Sequence, residues 1–372
     1  MTSRERILAV LAGKPTDRVP VAPFVHESTV RAWRKARDID VIEDTIRFCE
    51  TYGFDVIHRN FPVRFDDWKA ETPDWRIELR EERQGDVTLR RHIVRTPGGN
   101  LSEAVAVTPL TPYLTVTARK EAMVKTAGDF ELLRRYQPPP TPADLGPLRR
   151  VKIALGEKGV TAPWVSGVFN YMADLRDLEE LLTDPYEEPA FYDGLARYAL
   201  DRLKEGLAPV LDEGVDLLSY AGNIASATMV GPRYFEAFVL PYEKELIDFI
   251  QARGTGVLYH NCGDGEALIG CYAKLGMRCC ESMSEPPYGD NRLETWAGEC
   301  PQEICLMGNI DQISFLKQAA PAEVTRRAEE ALRIMEAHPR FMLGTSDFLE
   351  DGTPEENLRA LARAVQKEGL SR

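Results

Sequence analysis

Apolar positions along this chain recur in two rhythms, and the switch between them marks its organisation. Short apolar runs rich in β-branched residues alternate with longer stretches whose apolar residues fall at i, i+3 and i+4. The first run is Val19-Pro-Val-Ala-Pro-Phe-Val25 and the second is Phe54-Asp-Val-Ile-His58. Between them the spacing predicts an amphipathic helix over Val41–Tyr52, stopped by Gly53 as a C-terminal cap. Farther along, strands are predicted over 160–169, 215–220, 256–260, 277–282, 304–309 and 341–345. Helical patterns follow most of them, over 178–182, 189–211, 234–253, 266–275, 292–296, 322–337 and 355–367.

From residue 75 to 108 the period drops to 2. Arg76-Ile-Glu-Leu-Arg80 and Val87-Thr-Leu-Arg-Arg-His-Ile-Val-Arg95 alternate apolar and polar residues, with turns at Gln84-Gly-Asp86 and Pro97-Gly-Gly-Asn100. This predicts a half-exposed antiparallel meander, inserted into the βα rhythm and followed by the link Pro138-Pro-Pro-Thr-Pro142. With the two N-terminal runs the remaining strands number eight, each too apolar to be solvated on one face. That pattern predicts an α/β fold, a (β/α)8 TIM barrel, as one domain over 1–372 with the meander at 75–108 inserted. A doubly wound open sheet is the alternative, weakened by the absence of Gly-x-Gly-x-x-Gly after the first strand. The 372 residues would otherwise suggest two or three domains.

Charge narrows the partners. Lys and Arg number 46 against 59 Asp and Glu, a net charge of −13, which argues against a nucleic-acid surface and against adhesion to anionic membranes. The longest uncharged stretch, 217–232, is shorter than the roughly 20 apolar residues a membrane span needs. The N-terminus lacks the apolar core of a signal peptide, and seven cysteines form no regular framework, so a cytoplasmic, reduced protein is expected.

Polar residues gather where the predicted strands end, the face on which a barrel carries its chemistry. His26 and His58 are candidates for acid–base work or substrate binding, against an equal reading as structural histidines; Tyr220 is a candidate for orienting substrate. Asn60, Asn170, Asn223 and Asn309 are candidate substrate contacts. The sharpest feature is Tyr259-His-Asn-Cys-Gly-Asp264. Residues two apart on a strand share a face, so His260 and Cys262 direct a nitrogen and a sulfur at one point, a pairing that suits Zn2+. A third ligand must come from another strand, and Glu281 and Asp347 both qualify. Asp264 is read as an N-terminal helix cap beside them, as is Asp311 for its own helix. Cys279 and the other cysteines read as packing residues, and His92 and His338 as surface residues.

Four segments carry a family resemblance: the opening Thr2-Ser-Arg-Glu-Arg-Ile-Leu-Ala-Val-Leu-Ala-Gly-Lys-Pro-Thr-Asp-Arg-Val-Pro20, then Tyr259-His-Asn-Cys-Gly263, Leu306-Met-Gly-Asn-Ile-Asp311 and Gly352-Thr-Pro-Glu-Glu-Asn357. In that order they resemble the uroporphyrinogen decarboxylase superfamily over essentially the whole chain, and the resemblance implies its (β/α)8 barrel. True decarboxylases carry Arg-Gln-Ala-Gly-Arg after the first strand, where this chain has Pro23-Phe-Val-His-Glu-Ser28. The His-x-Cys is instead similar to the methyltransferase branch that acts with corrinoid proteins, in which these two residues and a C-terminal cysteine bind zinc. Here the position six before Thr353 holds Asp347. The resemblance therefore implies a zinc-dependent methyltransferase. It would move methyl between a small methylated substrate, such as a methoxylated aromatic, and cobalamin on a separate corrinoid protein. A carboxylate in place of a second thiolate leaves zinc the stronger Lewis acid, which favours a methyl ether as substrate.

Three alternatives stay open. One is transfer from a corrinoid protein to a thiol or tetrahydrofolate. Another is a metal-free lyase, which asks for a cationic pocket from Arg18, Arg59 or Arg64. The last is a non-catalytic binding subunit. The identity of the methyl donor and acceptor is open as well, and so is a homo-oligomeric state.

Overall fold

The computed structural model describes residues 1–61 and 70–366. Its strands are β1 Val56–His58, β2 Arg76–Gln84, β3 Val87–Thr96, β4 Gly99–Pro109, β5 Thr115–Glu121, β6 Gly159–Thr161, β7 Trp164–Ser166, β8 Leu217–Ala221, β9 Gly256–Asn261, β10 Cys279–Ser282, β11 Cys305–Ile310 and β12 Phe341–Thr345. Two compact units divide them. One comprises Met1–Pro62, Leu145–Val165 and Gly214–Arg372, and the other Val63–Asp144 and Ser166–Glu213.

In the first unit the strands too apolar for water form the wall of a barrel, because a parallel strand needs cover on both faces. Strands β7 to β12 pair side by side in chain order, and β1 pairs with β6, all in parallel register where register is defined. Main-chain hydrogen bonds carry the ring through its remaining seams. Ala22 N donates to Leu343 O at 2.8 Å, Leu343 N to Pro20 O at 2.9 Å, and Asp55 N to Val21 O at 2.7 Å. On the other side Ala162 N donates to His58 O at 2.9 Å and Ser219 N to Pro163 O at 2.9 Å. The run around Val21 is therefore the first of eight strands, and β6 with β7 count as the third, broken where Pro163 has no N–H to offer. The predicted (β/α)8 barrel is the observed fold.

Alternate residues of each strand fill the barrel. Ala22, Val160, Ala162, Leu217, Leu258, Cys279, Cys305, Met307 and Met342 form one buried cluster, which Ile7, Val10 and Leu11 of the helix Ser3–Leu11 join. That helix starts in a capping box between Thr2 and Glu5, the pairing its sequence offers. The predicted helix Val41–Tyr52 is present and ends at Gly53 with φ 81°, a conformation glycine adopts without strain. The last helix is Glu355–Arg363; the predicted end at residue 367 lies outside the described residues.

The second unit holds the antiparallel meander, in the order β2-β3-β4-β5, with the helices Ala127–Tyr136, Val168–Leu175, Leu178–Glu187 and Pro189–Asp212. The sheet runs past the predicted 75–108 into β5, whose Thr-Val-Thr-Ala alternation is too short to stand out alone. Three expectations need correcting. The helix Val168–Leu175 begins inside the predicted strand 160–169, so Asn170 sits on a helix rather than at a strand exit. His92 is buried, because strand register sets it opposite Glu103, whose Oε1 lies 3.0 Å from its Nδ1. His338 is buried too, with Nε2 2.8 Å from Ile304 O. Among the described residues no helix is long and apolar enough to cross a membrane.

Candidate metal centre at the strand ends

On β9 the side-chain alternation that puts Leu258 in the barrel core also turns His260 inward, and turns Tyr259 outward against Tyr220 and Tyr272. Cys262 follows just past the strand, and Asp347 just past β12. One ligand atom from each of His260, Cys262 and Asp347 lies within 4.8 Å of the others, and the His260 Nε2 to Asp347 Oδ1 distance is 4.0 Å. Asp347 is held by its own turn: its N–H donates to Gln312 Oε1, and its Oδ1 accepts from Phe348 N at 2.7 Å. A nitrogen, a sulfur and a carboxylate oxygen are the donor types zinc accepts, and three protein donors leave its fourth position free. The donor set fits the ion.

Glu281 is placed differently. Parallel register sets it beside His260, and its Oε1 lies 3.1 Å from His260 Nδ1. Its two oxygens accept from Arg59 Nη1 and Nη2 at 2.6 and 2.5 Å, with both side chains buried. Burial alone would raise the Glu281 pKa, but the Arg59 charge and hydrogen bonds, with His260, outweigh it and hold the carboxyl at about 2. Burial likewise pulls the His260 pKa down. Hydrogen bonds to Cys262 and Glu281, with the charges of Glu281 and Asp347, overcome that and raise it to about 10. Ser282 Oγ also sits 3.0 Å from Nδ1. Ser282 and the next residue, Met283, have φ of 86° and 47°, a strained backbone of the kind that clusters at working sites. Gly308 on the neighbouring strand permits this turn, since a Cβ there would stand 2.3 Å from Ser282 O.

Aromatic rings wall this region. Phe24 lies 5.4 Å from Trp164, 5.9 Å from His260 and 6.0 Å from Phe348, and the Arg59 guanidinium stacks 4.4 Å from the Phe24 centroid. Arg59 Nε is buried and has no hydrogen-bond partner among the described residues. His26, whose ring is 5.2 Å from Phe348, accepts from Ser28 N through Nδ1 and caps the helix Glu27–Arg34. Burial lowers the His26 pKa, and Glu27 and Asp347 partly restore it.

The remaining expected residues go elsewhere. His58 points out of the barrel, with Nε2 3.1 Å from Ile42 O, and Tyr220 points outward to hydrogen-bond Glu243. Asn60 Nδ2 donates to Val25 O and Thr45 Oγ1, both at 3.0 Å, and Asn309 Oδ1 accepts from Arg327 at 3.2 Å. Asn223 lies in the turn Asn223–Ala225, and Asn170 belongs to the second unit. Asp264 caps no helix, because Asp290 Oδ1 takes the N–H groups of Gly265 and Glu266. Asp311 accepts from three backbone N–H groups in the turn leading into the helix Phe315–Gln318, whose N-cap position is Ser314. Six cysteines are buried and only Cys262 is partly exposed. Of the candidates for a lyase's cationic pocket, the two described ones are each paired with a carboxylate. Arg18 is bonded to Asp55, Arg59 to Glu281, and Arg64 lies outside the described residues. The residues sequence reasoning undervalued are Arg59, Phe24 and Trp164; the alternation through Ile57, a core residue, was the signal that turns Arg59 inward.

Comparison with known proteins agrees with the barrel. The family model "Uroporphyrinogen decarboxylase (URO-D)" matches residues 118–368. The chain belongs to the uroporphyrinogen decarboxylase family. A methylated-thiol–coenzyme M methyltransferase of Methanosarcina mazei is 24% identical over 214 residues, covering 57% of this chain and 53% of that protein, so the match spans about half the relative's length. A methylcobamide:CoM methyltransferase of the same organism is 20% identical over 340 residues, 89% of each chain. A uroporphyrinogen decarboxylase of Anaeromyxobacter dehalogenans is 24% identical over 257 residues, 66% of this chain and 70% of that one. Among solved structures, a methyltransferase from Methanosarcina mazei superposes with a TM-score of 0.69 over 98% of both chains at 15% identity, which shows a shared fold. Within its family, then, this chain has relatives named for methyl transfer and for decarboxylation.

Proposed function

We propose that this chain is a corrinoid-dependent methyltransferase, moving methyl between a small methylated molecule, such as a methoxylated aromatic, and cobalamin carried by a separate corrinoid protein. The observation that carries the reading is the convergence of His260, Cys262 and Asp347 at the strand ends of a barrel with methyltransferase relatives. These three residues would hold Zn2+, which when bound supplies a Lewis acid for the atom that gives up or takes methyl. The rest is done by side chains already in place. Glu281 would accept a hydrogen bond from His260 Nδ1–H and so turn Nε2 toward the metal. Phe24, Trp164 and Phe348 form an apolar wall that keeps water off the reacting group and offers ring faces to an aromatic substrate. His26, whose protonation is disfavoured by burial, would hydrogen-bond that substrate.

The names of two relatives favour a second reading, in which methyl passes from the corrinoid protein to a thiol. The carboxylate in the donor set favours the ether. Both are tested on protein purified without chelator, by measuring its zinc content, demethylation of a methoxylated aromatic with a corrinoid protein, and methylcobalamin-to-thiol transfer. Stoichiometric zinc that disappears in His260→Ala together with turnover is the expected result. Absence of zinc with full turnover in His260→Ala overturns the proposal.

A further inference from the structure

We infer that Arg59 and Glu281 form a positioning pair for His260, in which Arg59 keeps the Glu281 carboxylate out of the metal's coordination shell. The inference rests on the metal reading above and adds to it a division of labour between two carboxylates. By sequence alone Glu281 and Asp347 are equivalent candidates for the third ligand. Of the two, Asp347 is the one that offers an oxygen to the cluster of His260 and Cys262.

Glu281 is held away from such a role by full engagement of both oxygens. Oε1 accepts from Arg59 Nη1 at 2.6 Å and lies 3.1 Å from His260 Nδ1, and Oε2 accepts from Arg59 Nη2 at 2.5 Å. The side chains are 1% and 2% exposed, so water does not compete for these bonds. Arg59 follows β1 and Glu281 stands on β10, the second and sixth strands of the eight-strand ring, so the pair bridges the barrel interior from wall to wall. The fork of the guanidinium matches a carboxylate in two parallel bonds, which fixes orientation as well as distance. Stacking on Phe24 at 4.4 Å and on Trp164 at 5.4 Å fixes the plane of that fork.

The consequence for His260 follows from proton bookkeeping. An ionised carboxylate can only accept, so the hydrogen between Glu281 and His260 sits on Nδ1, and a metal would take the Nε2 lone pair in place of the proton on that nitrogen. Nε2 is the nitrogen 4.0 Å from Asp347 Oδ1. A lone carboxylate on Nδ1 would also push electron density into the ring and blunt a bound metal's Lewis acidity; the Arg59 charge cancels that push. Glu281 therefore orients the ligand while Arg59 limits how strongly it donates. An ion pair that merely tied two walls together would move stability and leave the metal's properties alone.

Co2+ titration of the full chain, followed by visible and near-ultraviolet absorption, separates these roles. The double variant Arg59→Met, Glu281→Met removes both charges of the pair and the carboxylate acceptor for Nδ1, leaving only the weaker Ser282 hydroxyl beside it; its Co2+ affinity is expected to fall about 10–100-fold with the thiolate-to-cobalt band retained. Glu281→Gln keeps an acceptor for Nδ1 and is expected to restore affinity to near the wild-type value. Arg59→Gln releases Glu281 toward the metal, and the cobalt d–d bands are expected to weaken as the coordination number rises. Wild-type affinity and spectrum in both the double variant and Arg59→Gln overturn the inference, as does equal loss in the double variant and Glu281→Gln. A wild-type chain that binds no Co2+, or a thiolate band that survives Cys262→Ser, overturns the metal reading instead. Those two results appear before any variant of the pair is made, so the two failures are distinct.

Discussion

The exits of β1 and β9 each carry a buried histidine, and the two are opposites. His58 turns out of the barrel toward the helix Val41–Tyr52, where Nε2–H meets the carbonyl of Ile42 and Nδ1 has no hydrogen-bond partner among the described residues. A second proton on that ring would be buried without an acceptor, and its pKa is pushed down to about 4 by burial, against the Ile42 bond. His260 turns inward among Glu281, Cys262 and Asp347, and its pKa is raised to about 10 despite burial. Residue type and burial are the same in both. What differs is the face of the strand, and with it the company: one backbone carbonyl against a set of anions. The lesson extends one residue further, because Arg59 follows His58, takes the opposite face, and joins His260 through Glu281.

Breaking the charged side of that comparison has the largest expected effect. Arg59→Met alone leaves Glu281 buried beside His260 without its cation, which should cost about 3–5 kcal/mol in urea unfolding. A loss below about 1 kcal/mol would show the pair to be solvated and the contrast with His58 overstated.

The neutral side predicts a pH dependence of definite sign. The unfolded chain takes up the His58 proton near pH 6.5 and the folded chain only near 4. Stability tied to this ring is therefore complete above 6.5 and is lost as pH falls toward 4, by about 3 kcal/mol in all. Urea midpoints at pH 7 and pH 4 should accordingly converge for His58→Leu relative to wild type. Parallel losses in both proteins would mean that the ring already finds an acceptor.

The smallest effect sharpens the claim that the exit of β1 is architectural on its outer face. Asn60→Ala removes hydrogen bonds to Val25 O and Thr45 Oγ1 and should cost about 1–2 kcal/mol in thermal or urea unfolding. Co2+ uptake should be unchanged in this variant. Weakened uptake would bring Asn60 into the metal centre, and the two strand exits would no longer be separate in role.

Much of this was legible before folding was considered. The barrel follows from eight apolar runs spaced by helical patterns, and the meander from a change of period; both are local signals. The pairing of His260 with Cys262 was legible for the same reason, since residues two apart on a strand share a face wherever that strand lies. Less was legible at His58 and Tyr220, where a shift of one position separates the barrel interior from the helix layer. His92 read as a surface residue because its partner Glu103 lies eleven positions away across a register no single strand reveals.

Sequence by itself determined the repeating βα order, the helix caps at Thr2 and Gly53, and the nitrogen and sulfur that converge after β9, since each depends on neighbours within a few residues. Tertiary structure alone gave Glu281 and Asp347 different partners. Strand order set Arg59 across the ring from Glu281 and left Asp347 beside His260 and Cys262, and only closure of the barrel brings residues from β1, β9, β10 and β12 within bonding distance. The physical reason is that a carboxylate's role is set by the charges that reach it, and those charges arrive from distant parts of the chain.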